Sequence, residues 1–157
     1  MKNCDSNFKM NPPLRSKEDV DAIIKGISDG TIDIIATDHA PHAEIEKKKG
    51  FKKAPFGIIG LETALPLSLS LVDKKKVSLS KLIRIMSTKP AEIINIKRGS
   101  LRKGFKADIV IFDKNKKIIV NKGLMYSKSR NTPFDGIKLK GKVIRTIVNG
   151  KTVYTSN

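Results

Sequence analysis

The amino-acid sequence predicts an α/β fold, and three observations predict it. Val20, Ile23, Ile24 and Ile27 recur at helical spacing between Ser16 and Gly30, which is the pattern of an amphipathic helix. Ile32, Ile34, Ile35 and Ala36 follow at once as a short, β-branched apolar run, the signature of a strand buried on both faces of a parallel sheet. After Arg98 and Gly99 the pattern changes to short apolar strands separated by turn residues. Helix followed by buried strand is half of a barrel repeat. With 157 residues the chain is too short for a complete eight-stranded barrel, which needs roughly 250.

The elements follow in order. Asn11-Pro-Pro-Leu-Arg15 is extended, because each proline fixes its own φ and pushes the preceding residue away from helix. That presents Asn11 as an amide with both a donor and an acceptor. Ser16 is the N-cap of the first helix, and Asp19 stands at the capping-box position that usually holds Glu or Gln. Residues 39–56 read as a polar loop carrying the run Lys47-Lys-Lys49, longer than such connections usually are, which points to function or disorder over packing. Residues 64–72 read as a helix that tolerates Pro66 in its first turn. Ser78 caps a further helix, and Pro90 suits the first turn of another that starts near Thr88. Strands are predicted over residues 109–112, 117–120, 143–148 and 152–154, the last two joined by Asn149-Gly150, a pair suited to a tight hairpin turn. Asp108 reads as structural.

The chemistry is concentrated in Asp38-His-Ala-Pro-His42, where the strand run ends. Barrels of parallel strands place their working side chains at that junction. Asp38 therefore stands where such a fold presents a catalytic carboxylate, although Asp at a strand end also serves as a turn former. His39 and His42 are the only histidines in the chain, four residues or fewer from Asp38. Gly57 and Gly60 flank Ile58-Ile59 and allow either close backbone approach to a ligand or a tight turn.

The Asp38-His-Ala-Pro-His42 string resembles the motif of the bacterial-type dihydroorotases, in the amidohydrolase superfamily, and Lys9-Met-Asn-Pro-Pro-Leu-Arg15 resembles that family's other late signature. Gly60-Leu-Glu-Thr63 and Ser129-Arg-Asn-Thr-Pro-Phe134 resemble it too. The resemblance implies the carboxy-terminal part of a (β/α)8 TIM-type barrel followed by a small β-subdomain. Residues 1–96 would form the last part of the barrel with its active-site loops, and residues 97–157 the β-strand-rich subdomain. It implies the reversible hydrolysis of the cyclic amide of dihydroorotate to carbamoyl-aspartate in pyrimidine biosynthesis, with zinc as cofactor. By the same resemblance Asp38 is the catalytic carboxylate and a metal ligand. Asn11 and His42 hold the substrate together with main chain at Gly57, imidazole being a side chain that can change charge near neutral pH. His39 reads as a packing or supporting hydrogen-bond group.

The chain departs from that family in one respect. The family's early His-x-His pair and its bridging residue have no counterpart here, and one carboxylate cannot hold a catalytic zinc that usually has three protein ligands. The chain alone is therefore expected to bind zinc poorly and to be inactive in isolation. Three alternatives accompany the first reading: a non-catalytic dihydroorotase-like scaffold for aspartate transcarbamoylase, another cyclic amidohydrolase of the allantoinase or hydantoinase type, and a basic nucleic-acid binder. The expected partners are the small-molecule substrate, an amino-terminal half or aspartate transcarbamoylase.

Composition weighs against the last alternative. The formal net charge of +17 invites a nucleic-acid surface. Yet the basic residues are mostly lysines spread along the chain, and aromatic residues, at 5%, leave little for base stacking. Cys4 is the only cysteine, which excludes an intrachain disulfide and fits a reducing compartment. The amino terminus lacks a signal-peptide apolar core and no run approaches the ~20 apolar residues of a membrane span, so a cytoplasmic protein is expected.

Overall fold

The computed structural model describes residues 4–156. The chain divides into two compact units that interleave along the sequence. One holds the residues up to Asp21, Thr37–Ala64 and Ile119–Lys138; the other holds Ala22–Ala36, Leu65–Ile118 and the chain from Leu139 onward.

Helix α1 is Lys17–Asp29. Its start is the predicted capping box: the Ser16 hydroxyl accepts from the Asp19 N–H at 3.2 Å, and the Asp19 carboxylate accepts from the Ser16 N–H at 3.1 Å. Ile27 on this helix joins Leu69, Val77, Leu82 and Ile85 in the core of the second unit, where Leu82 is 1% exposed. Ile32 and Ile35 pack against that core.

The run from Ile32 to Ala36 is not the expected strand buried on both faces. It is extended but belongs to no sheet, Ile32, Ile34 and Ile35 are half-buried, and Ala36 is exposed. The physical reason is the absence of strand neighbours among the described residues. Burial on both faces requires layers on both sides of a sheet, whereas here Ile35 donates its N–H to the Ile85 carbonyl at 3.1 Å and the side chains lean on helices. Gly26 admits this docking, since a β-carbon there would meet the Ile32 Cδ1 at 3.0 Å.

Helix α2 is Glu44–Lys47 and α3 is Gly50–Lys53, so the predicted polar loop is in part helical. Helix α4, Ala64–Asp73, appears where predicted, with Pro66 in its first turn. Helix α5, Leu79–Ile83, is capped by Ser78, whose hydroxyl accepts from the Lys81 N–H at 3.1 Å. It runs directly into a π-turn, Arg84–Thr88, and then α6, Lys89–Ile93. The two predicted helices are thus one continuous rod. Pro90 lacks an N–H and crowds the carbonyl four residues back, and the wider π-turn sits where that conflict would fall.

Three strands form one sheet in the order β1, Ile109–Ile119; β2, Lys138–Val148; β3, Lys151–Thr155. The two short strands predicted between residues 109 and 120 are merged in β1. Strands β2 and β3 pair antiparallel, with Val148 opposite Lys151. The predicted hairpin turn joins them: Asn149 and Gly150 both have positive φ, 49° and 77°, as a type I′ turn demands. Gly141 in β2 lets α4 lie against the sheet, because a β-carbon there would stand 2.3 Å from the Leu69 Cδ1. Asp108 is structural as expected, pairing with Arg98 and accepting from the Asn149 N–H at 2.8 Å. Among the described residues no helix is long and apolar enough to cross a membrane.

Candidate active site

Asn11, Asp38, His42 and Gly57 all lie in the first compact unit. Asn11 is exposed and precedes Pro12 through a cis peptide bond. Asp38 is exposed and has φ of 44°, in the left-handed region that a non-glycine residue seldom adopts. Its carboxylate has no hydrogen-bond or ion-pair partner among the described residues. An aspartate acting as turn former or cap would accept a bond from a nearby amide, and Asp38 does not.

The residues after Asp38 are anchored by their neighbours in sequence and by the loop at Gly57. Ala40 donates its N–H to the Ile58 carbonyl at 2.9 Å. The His39 Nδ1 accepts from the Gly60 N–H at 3.0 Å and lies 3.4 Å from the Leu61 N–H. A nitrogen that accepts carries no proton, so the ring is neutral with its proton on Nε2. His39 therefore takes the supporting role expected of it. The His42 Nε2 lies 2.8 Å from the Phe56 carbonyl, which can only accept, so Nε2 carries a proton.

Gly57 has φ of 103°, and a β-carbon would fall 2.5 Å from the Ala40 methyl and 3.9 Å from the His42 Nε2. Its main-chain polar atoms are engaged within the protein. The N–H donates to the Lys9 carbonyl at 2.9 Å, and the carbonyl accepts from Lys47 Nζ at 3.1 Å and Asn131 Nδ2 at 3.2 Å.

Two residues in this network were not singled out from the sequence. Lys47, read as part of a polar loop, is 6% exposed, and its ammonium also donates to the Pro55 carbonyl at 3.0 Å. Burial, and then the nearby Lys9 ammonium, lowers its pKa from the ordinary lysine value. Lys9 itself lies over the Phe56 ring, 4.6 Å from its centre, and donates to the Ala54 carbonyl at 2.7 Å. Asn131 is 4% exposed, and its side chain bonds residues 74 to 91 positions away in sequence. The family-like stretch Ser129-Arg-Asn-Thr-Pro-Phe134 marks the neighbourhood of Asn131 but not its partners, and nothing in the Lys47-Lys-Lys49 run marks Lys47 as buried. A cleft of about 700 Å³ adjoins this network, walled in part by Asp5, Ser6, Lys47, Arg130 and Asn131.

The donor set of this chain does not by itself fit a zinc ion. Among the described residues no three His, Cys, Asp or Glu side chains group as a metal site would need. His39 offers no unprotonated ring nitrogen beyond the one already bound to Gly60, which leaves Asp38 and the Nδ1 of His42.

The chain belongs to the amidohydrolase family, whose sequence pattern matches residues 3–153. Metal dependence is general in that family. Within it the chain is similar to dihydroorotases, as Asn11-Pro-Pro and Asp38 to His42 led us to expect. It is 53% identical over 146 residues to the dihydroorotase of Anaplasma phagocytophilum, covering 93% of this chain and 33% of that protein. To that of Endomicrobium trichonymphae it is 53% identical over 156 residues, covering 98% and 37%. The chain thus spans about a third of the length of the curated relatives it matches. Among solved structures, the L-hydantoinase (dihydropyrimidinase) of Arthrobacter aurescens superposes with a TM-score of 0.87 at 34% identity, over 94% of this chain and 34% of that one.

Proposed function

We propose that this chain is the later part of a (β/α)8-barrel dihydroorotase, with residues 1–96 contributing barrel and active-site loops and residues 97–157 the β-rich subdomain. Asp38 is its proton-transfer group. In the hydrolytic direction a water oxygen bonds to the amide carbonyl carbon of dihydroorotate and the ring C–N bond breaks. The water's proton passes by way of the Asp38 carboxylate to the departing nitrogen, giving carbamoyl-aspartate. Asn11 and His42 hold the substrate, and main chain around Gly57 borders it. One observation carries this reading: the exposed Asp38 carboxylate, held in left-handed backbone, has no partner among the described residues, which is how a working group differs from a turn former.

By resemblance the complete enzyme uses zinc, with Asp38 as one ligand. Because this chain's donors do not suffice, the remaining ligands come from another part of the enzyme, on an amino-terminal portion. The protein acts in the cytoplasm, a compartment that suits the free, exposed Cys4.

The test is complementation. The chain is mixed with an amino-terminal dihydroorotase portion that carries the His-x-His pair, and turnover of dihydroorotate, hydantoin and allantoin is measured. Dihydroorotate should be the preferred substrate, and Asp38→Ala should abolish turnover. Activity that survives Asp38→Ala would remove Asp38 from its role. The 34% identity to an L-hydantoinase supports a second reading, a hydantoinase-type cyclic amidohydrolase, and preferential turnover of hydantoin in the same assay would select it. Co-purification with aspartate transcarbamoylase, without turnover in the complemented mixture, would select the scaffold.

A further inference from the structure

The Ser129-Arg-Asn-Thr-Pro-Phe134 stretch has no part in the reaction as described, yet it supplies the most connected side chain near the loops. We infer that Asn131 is a positioning residue that clamps His42 to the Gly57 loop and so sets the donor direction of the His42 ring. The clamp has four bonds. The Asn131 Oδ1 accepts from the His42 N–H at 3.3 Å, and Nδ2 donates to the Ala40 carbonyl at 2.8 Å and to the Gly57 carbonyl at 3.2 Å. The Asn131 main-chain carbonyl accepts from the Ile59 N–H at 3.0 Å.

These bonds span the interaction that orients the ring. His42 donates from Nε2 to the Phe56 carbonyl, and Phe56 precedes Gly57. Asn131 holds the main chain on both sides of that bond, at His42 itself and at Gly57. An asparagine is the side chain that fits: one end must accept from an N–H while the other donates to two carbonyls, and aspartate would turn the donor end into a carboxylate oxygen facing two carbonyl oxygens. Burial makes the mismatch costly, since a polar group shut away from water keeps no alternative partner. The consequence for substrate binding rests on the proposed function; the clamp itself does not.

The isolated chain provides the first test, and its having only two histidines makes the test clean. Nitrogen-15 spectra of the unmodified chain should report both rings protonated on Nε2. In Asn131→Asp the His42 ring should lose that preference and show a mixed-tautomer spectrum, while the His39 ring, held by Gly60 and Leu61, stays as it was. A role in folding alone would move both rings or neither, and either result overturns the clamp. Should Asn131→Asp not fold, hydrogen exchange on the unmodified chain decides the matter: the His42 and Ile59 amides should be slowed at least about tenfold relative to an open chain. Exchange of the His42 amide at the open-chain rate overturns the inference. In the complemented enzyme, Asn131→Asp should raise KM about tenfold with kcat within about threefold. A fall in kcat with KM unchanged would assign Asn131 a different role. If the unmodified mixture shows no turnover, the proposed reaction fails while the spectra still decide on the clamp.

Discussion

Gly57 and Ala40 touch so closely that a β-carbon on Gly57 would stand 2.5 Å from the Ala40 methyl. Two loops separated by seventeen positions in sequence meet at that point, and the Ala40 methyl fits there because Gly57 has no side chain. Gly57→Ala combines this clash with a φ of 103°. Gly30, by contrast, has φ of 95° with nothing near its would-be β-carbon, so Gly30→Ala carries the backbone strain alone. Urea unfolding should show a loss of about 1 kcal/mol for Gly30→Ala and at least about twice that for Gly57→Ala. Equal losses would mean that the Ala40 contact yields without cost.

Lys47 should give the chain an alkaline signature. Its pKa in the folded chain is lowered by burial, then by Lys9, while in the unfolded chain it keeps the ordinary value of 10.5. Between the two values the unfolded chain binds the extra proton, so stability must rise with pH through that window and level off above 10.5. Measuring unfolding from pH 8 upward to about pH 11 for the unmodified chain and for Lys47→Met isolates this contribution. The difference between the two should change in favour of the unmodified chain as pH rises, and parallel curves would refute it.

Asp19 gives the opposite dependence at the acid end. The Ser16 hydroxyl and then the Ser16 N–H hold its pKa below 3.8. Its contribution is therefore complete above 3.8 and disappears as pH falls through the lowered folded value. Circular dichroism should show Asp19→Asn less helical than the unmodified chain at neutral pH, with the gap closing under acid. Ser16→Ala, which removes the other half of the box, should weaken the start of α1 at both pH values.

Asp38 should separate activity from stability. Asp38→Gly removes the unpaired carboxylate and at the same time relieves the left-handed backbone at φ of 44°. The unfolding free energy should stay level or rise by up to about 1 kcal/mol. Turnover in the complemented enzyme should fall at least about a hundredfold. A variant that loses stability as well would indicate that the carboxylate has a structural partner in solution.

The elements legible in the sequence are those whose causes are local. The Ser16 and Asp19 box, the Ser78 cap, Pro66 in the first turn of α4 and the Asn149-Gly150 hairpin each depend on groups a few positions apart, and each is where the residues predict it. The motif at Asp38 to His42 was equally legible and led to the right family. What local chemistry could not supply was the environment of each side chain. The Ile32 to Ala36 run has the composition of a buried strand, but strand formation is a property of neighbours, and here helices are the neighbours. Pro90 announces a helix start to any window of ten residues, yet a π-turn carries the helix through it.

By itself, then, the sequence determined the helix caps, the hairpin, the apolar faces and the family, because those follow from spacing along one chain. Only the tertiary structure decided that Lys47 is buried, that Asn131 bridges His42 and Gly57, and that Nε2 of each histidine carries a proton. Those facts arise from hydrogen bonds between residues as many as ninety-one positions apart, where a group's partner is set by the path of the whole chain. No pattern of neighbours in sequence contains that path.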